Sequence, residues 1–110
     1  IVTHYYTLSF NVNGGNETYG DVSVAENTVF DLSSYVPTKN TEYVDKGYNW
    51  VGSNAGKWTY EVTRYTFAGW YTDSNYSQKF DGTMPRENLT LYAKWEATTT
   101  TEYYYNWERP

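Results

Sequence analysis

The sequence predicts a β-dominated α+β domain, and three observations carry that prediction. First, burial falls to rings: aromatic residues make up 21% of the chain, with fourteen Tyr and five Trp, while the apolar set as a whole reaches only 39%. Each large ring removes ~150–250 Å² from water, so few are needed for a core, and Tyr, Trp, Thr and Val suit a pleated surface. Second, two segments alternate with the period of two that a half-buried strand requires, and turn residues bound them. Third, one segment changes to a helical period. A chain of 110 residues fits one domain able to bury its own core.

The first alternating segment is Tyr6-Thr7-Leu8-Ser9-Phe10-Asn11-Val12, with Tyr6, Leu8, Phe10 and Val12 facing inward. Asn13-Gly14-Gly15-Asn16 follows, and Gly accepts the positive φ of a tight turn. A second strand is expected through Tyr19 to Val24, with Val22 and Val24 inward. Over 28–37 the spacing of Val29, Leu32 and Val36 is three and four; Asp31 can cap and Pro37 stops the segment. One short helix is expected there. "YNWVGSNAGKWTYEV", residues 48–62, reads as an aromatic hairpin. Pairing symmetric about Asn54 would set Trp50 opposite Trp58 and Tyr48 opposite Tyr60, with all four rings on one face.

In "YTFAGWYTDSNYSQKF", residues 65–80, Phe67 and Trp70 are three apart and would face opposite sides of a regular strand. One extra residue at Gly69 brings them to the same side, because a bulge shifts the phase by one. "TDSN" then turns the chain and Phe80 returns it to the core. The last strand alternates cleanly, with Leu89, Leu91, Ala93 and Trp95 inward. Thr98–Thr101 reads as a linker, which divides the chain into a module at 1–97, carrying an insertion at about 39–63, and a tail at 98–110. Tyr103, Tyr104, Tyr105 and Trp107 of that tail could add a strand or an aromatic clasp, either to this domain or to a neighbouring copy. "TEY…YNW" at 41–50 returns, compressed, at 101–107, which points to contact between insertion and tail.

The blocks "YTLSFNVNGG", Pro37-Thr38, "YTFAGWYTD" and "MPRENLTLYAKW" occur in an order that resembles the Listeria–Bacteroides repeat, or internalin B-repeat, over residues 5–38 and 63–97. The resemblance implies a β-grasp (ubiquitin- and SUMO-like) fold. It also implies an extracellular module, usually in tandem, within a bacterial surface protein, serving as a spacer or interaction domain in adhesion and carrying no catalytic residues. The partners implied are neighbouring domains of the same surface protein, and a host protein or glycan. Two features depart from the family pattern: about 25 residues intervene at 39–63, and Arg64 stands where Gly usually precedes Tyr65.

Composition narrows the function classes independently. The net charge is −5 and no Lys/Arg run is present that could neutralise phosphates, which argues against nucleic acid and against docking on an anionic membrane. No apolar stretch approaches the ~20 residues that span a bilayer, so no direct membrane insertion is expected. The chain opens at Ile1 without Met or a leader pattern and reads as a segment of a longer protein. With no Cys, disulfides and thiolate metal sites are excluded, and a cysteine-free, Thr-, Asn- and Tyr-rich chain fits a bacterial surface protein better than a stapled animal domain.

Candidate chemistry is sparse, and no cofactor or metal is expected. His4 is the sole histidine, leaving a triad or imidazole metal site without a second member. Asp73-Ser74-Asn75-Tyr76-Ser77 opens like a calcium loop, but Gln78 and Met84 stand where Gly and Glu belong, so a plain turn is favoured. The carboxylates are scattered, whereas glycoside hydrolysis needs two held ~5–10 Å apart. The Asn-x-Ser/Thr triplets at 16, 75 and 88 are at chance level in such a sequence. The one group with binding character is Tyr48, Trp50, Trp58 and Tyr60. These rings could form a flat platform for sugar rings or a partner protein. Packing against the domain or tail is favoured, because an exposed patch of that size invites association.

Overall fold

The computed structural model describes residues 1–50, 56–105 and 110. Among these residues five strands form: β1 (Tyr5–Asn11), β2 (Val22–Ala25), β3 (Glu42–Trp50), β4 (Gly56–Tyr71) and β5 (Leu89–Tyr105). They belong to one mixed sheet in the order β2-β1-β5-β4-β3. The chain divides into two compact units, Ile1–Lys39 with Thr66–Glu96, and Asn40–Tyr65 with Ala97–Pro110. Strands β4 and β5 are long enough to contribute to both.

In the first unit, β1 pairs antiparallel with β2, from Tyr5↔Ala25 to Leu8↔Val22. Its other side pairs parallel with β5, from Leu8↔Leu89 to Asn11↔Tyr92. The alternation of β1 and β5 puts Leu8 and Leu91, both fully buried, into a core with Val24, Trp70, Phe80, Met84 and Ala93. Tyr6, Phe10, Val12, Leu32, Phe67, Leu89 and Trp95 pack around it, partly buried. Gly69 takes φ +114°, and the Phe67 and Trp70 rings meet edge to face at 5.4 Å. The broken period of that segment therefore serves to aim both rings at one core. After β1, Asn13 and Gly14 adopt φ 48° and 87° and the Gly15 N–H returns to the Val12 carbonyl at 3.0 Å. Positive φ at both central residues is what a tight turn with Asn-Gly provides. The second strand is shorter than the sequence suggests, since pairing begins only at Val22.

The expected helix over 28–37 does not form, and among the described residues there is none. The β-grasp expectation, which includes that helix, falls with it: the described residues are all strand and loop. The backbone of this segment is claimed from elsewhere. Phe30 N–H donates to the Gly82 carbonyl and Met84 N–H to the Thr28 carbonyl, 2.8 and 2.9 Å, around a Val29↔Thr83 bridge. Asp31 caps a turn instead of a helix, accepting from Ser33 N–H at 2.9 Å, the local bond by which Asp and Ser compete with helical structure. A ten-residue helix with two Ser and β-branched residues has little to offset its nucleation cost. Val29 is 81% exposed, so the three- and four-residue spacing never marked a buried face. Phe30, Leu32 and Tyr35 face the core.

Two rings missing from the sequence-based core organise this unit. Tyr35 stacks on Phe10 with centroids 4.6 Å apart, and Tyr19 lies 5.0 Å from Tyr35. The indole N–H of Trp70 donates to the Tyr35 carbonyl at 2.8 Å, and that of Trp95 to the Val12 carbonyl at 2.9 Å. The buried indole of Trp70 and the partly buried one of Trp95 are thereby both satisfied.

Candidate functional site

In the second unit, β3 and β4 form the hairpin that the aromatic alternation implied, in a different register. Tyr48 faces Trp58 and Trp50 faces Gly56, while Tyr60 faces Asp45. The expected Trp50–Trp58 and Tyr48–Tyr60 pairs are thus displaced by two residues. The turn itself, 51–55, lies outside the described residues. A slip of two keeps every side chain on its original face, so Tyr48, Trp50, Trp58 and Tyr60 still share one. Between Asp45 and Gly47 the ladder shifts. Gly47 takes φ +113°, and its N–H donates to the Asp45 carboxylate at 2.8 Å.

The four rings are not equivalent. Tyr48 touches Trp58 at 4.9 Å with the planes inclined 56°, and Trp50 at 5.8 Å, inclined 79°. They form a corner rather than a flat surface. Trp50 is 67% exposed, Tyr48 and Trp58 are half-buried, and Tyr60 is 6% exposed. Tyr60 is held edge to face by Tyr43 at 6.3 Å and by Tyr104 of β5 at 5.8 Å. Gly56 has a steric role: a Cβ there would fall on the Tyr48 hydroxyl and ring, so the tyrosine lies directly over the glycine backbone.

The threonine run expected as a linker lies inside β5. It lines up beside β4: Thr63 and Thr99 hydroxyls meet at 2.9 Å, and Lys57 Nζ sits 4.1 Å over the Tyr103 ring. The insertion and the tail are therefore parts of one unit, as their shared "TEY" motif hinted; Trp107 lies outside the described residues. At the centre, Arg64 donates through both terminal nitrogens to Glu102, which also accepts from Tyr104 Oη at 2.7 Å and Thr100 Oγ1 at 3.2 Å. The Arg64 bonds first, then the Tyr104 hydroxyl, hold the Glu102 carboxyl down at about 2. A depressed carboxylate stabilises the fold above its unfolded pKa and loses that contribution as pH falls through the folded value. Glu102→Gln should therefore lower Tm at pH 7, with the gap to wild type closing as the pH falls from about 4.5 to about 2. Thermal scans at pH 7, 4 and 2 check this; a gap that stays constant contradicts it.

Several other carboxylates are occupied by backbone N–H groups instead. Glu17 accepts from Thr38 N–H and hydroxyl at 2.7 and 2.8 Å, and Asp81 from Thr83 N–H at 2.8 Å. Asp73 accepts from Ser77 N–H and hydroxyl and from Gln78 N–H. The calcium-like sequence is thus a turn closed by its own aspartate. Bonds from Thr38, from Ser33 and from Ser77 lower the pKa of Glu17, Asp31 and Asp73 respectively. General acid work by a carboxyl needs the opposite shift. His4 is exposed, and its carbonyl accepts Glu26 N–H at 2.9 Å. A shallow pocket of about 220 Å³ in the first unit is lined by Thr72, Lys79, Phe80, Asp81 and Glu87 among others, below the ~300–1,000 Å³ typical of ligand sites. Among the described residues, no three His, Cys, Asp or Glu side chains converge as metal ligands, and no helix is long and apolar enough to cross a membrane.

Residues 52–94 match the family model of the Listeria-Bacteroides repeat domain. The matched stretch takes in β4, with Phe67, Gly69 and Trp70, and the start of β5; residues 5–38, where a likeness to the same family was expected, lie outside it. No curated protein and no solved structure matches the chain.

Proposed function

We propose that this chain is a non-catalytic repeat module of a bacterial cell-surface protein, working outside the cell as a spacer that presents neighbouring domains and contributes to adhesion. The match of residues 52–94 to a repeat domain carries the reading. The structure lends it physical support: the carboxylates described above close turns and strand contacts, and interlocked rings stabilise the first unit in a chain without cysteine. Deleting the module from its parent protein on the bacterial surface should shorten the reach of a tag placed beyond it and weaken attachment to host cells. Full reach with full attachment would sink the proposal.

A second reading is favoured by one observation, the 67% exposure of Trp50 beside Tyr48 and Trp58. On this reading the aromatic corner takes a host protein or a glycan. The inclination of the rings suits a protruding group seated between them better than a flat polymer laid across them. A central exposed Trp that anchors a partner is worth about 2 kcal/mol or more, roughly thirtyfold in affinity. Screening the chain on glycan and host-protein arrays tests this. A ligand whose binding survives Trp50→Ala and Trp58→Ala does not use the corner.

A further inference from the structure

We propose that the parallel pairing of β1 with β5 makes this module resist tension applied along the polypeptide. The proposal rests on the spacer reading, since a spacer between other domains is pulled through its own backbone. Such a pull enters at the Tyr5 end of β1 and at the Tyr105 end of β5. The two strands run in the same direction and lie side by side, so opposite pulls slide one along the other. The rungs Leu8↔Leu89, Ser9↔Thr90, Phe10↔Leu91 and Asn11↔Tyr92 are then loaded together and must break together. Pulling the strands apart from one end would break them in turn, each at a lower force.

Several features reinforce the sliding direction. Side-chain bonds extend the ladder past both ends: Thr7 N–H donates to Asn88 Oδ1 at 2.8 Å at one end. At the other, Trp95 Nε1–H donates to the Val12 carbonyl at 2.9 Å and Asn13 Nδ2–H to the Ala93 carbonyl at 2.8 Å. Leu8 and Leu91 are fully buried over the rungs, which keeps water from competing for strained hydrogen bonds. β1 is also held on its other side by β2 from Tyr5 to Leu8, so sliding it loads a second ladder.

The absence of native cysteine allows the pulling points to be chosen by substitution at exposed positions. Single-molecule stretching of the full chain through Thr3→Cys and Pro110→Cys loads β1 and β5 in the sliding direction. Stretching through Thr3→Cys and Glu87→Cys opens the same pair from one end. The expected unfolding force is severalfold higher in the first geometry, although the folded state is the same in both; forced unfolding follows the barrier crossed, not the equilibrium stability. Asn13→Gly keeps the positive φ of that turn but removes the Ala93 tie, and should lower the sliding force while leaving the opening force unchanged. Equal forces in the two geometries, a weaker sliding geometry, or an equal loss in both from Asn13→Gly would overturn the proposal. These forces are read on the isolated chain, so they stand or fall separately from the deletion test of the spacer reading.

Discussion

Trp70→Ala should destabilise the protein by about 3–5 kcal/mol, the cost of emptying a large aromatic site that its surroundings cannot close. Trp70 is 3% exposed and sits against three rings: Phe10 at 5.1 Å, Phe67 at 5.4 Å and Tyr19 at 6.1 Å. Those neighbours are fixed by one another, Phe10 by its stack on Tyr35 and Phe67 by Trp95 at 5.6 Å. The site therefore has little freedom to collapse. Trp70→Phe separates packing from polarity, because it keeps a ring but leaves the Tyr35 carbonyl without its donor; that variant should lose about 1–3 kcal/mol. Denaturant unfolding monitored by far-UV circular dichroism measures both. A Trp70→Ala loss below about 1 kcal/mol would mean that the ring cluster does not hold the first unit together.

Gly56→Ala is the second large effect expected, about 1–3 kcal/mol from overpacking, and it tests the hairpin register. The added methyl would occupy the space of the Tyr48 hydroxyl and ring end. Tyr48 must then swing away, giving up Trp58 at 4.9 Å and Trp50 at 5.8 Å. The same substitution at Gly20 meets nothing within 4 Å and should be neutral or stabilising by up to ~1 kcal/mol. Comparable melting temperatures for the two variants would return the hairpin to another register, with Tyr48 elsewhere. Indole fluorescence of Gly56→Ala should also change, since Trp50 and Trp58 both lose their contact with Tyr48.

What could be read without coordinates was local in origin. The alternation of Leu8 with Phe10 and of Leu89 with Leu91 needs no partner to be visible, and neither does the Asn13-Gly14 turn or the phase break at Gly69. Faces of the aromatic hairpin were also legible, because a shift by two preserves them. The pairing itself was not: Asn54 marked the centre of a turn-rich stretch, but the Tyr48 ring seats only where the opposing strand offers a glycine backbone, at Gly56. Val29, Leu32 and Val36 had helical spacing, yet residues 82–84, some fifty positions away, took the backbone bonds that a helix would have made.

Side-chain period and turn chemistry act between neighbours in the chain, so the order of residues alone already specifies a cysteine-free, ring-packed sheet with two inward-facing alternating strands and a tight turn after the first. Contacts between distant segments settled the rest: residues 28–37 form loop and bridge, Tyr48 rather than Trp50 faces Trp58, and the threonine run is part of β5, whose Glu102 and Tyr104 receive Arg64 and Tyr60. Each of those outcomes is a competition for hydrogen-bond partners and ring contacts between distant segments, and such a competition is settled only when the segments meet.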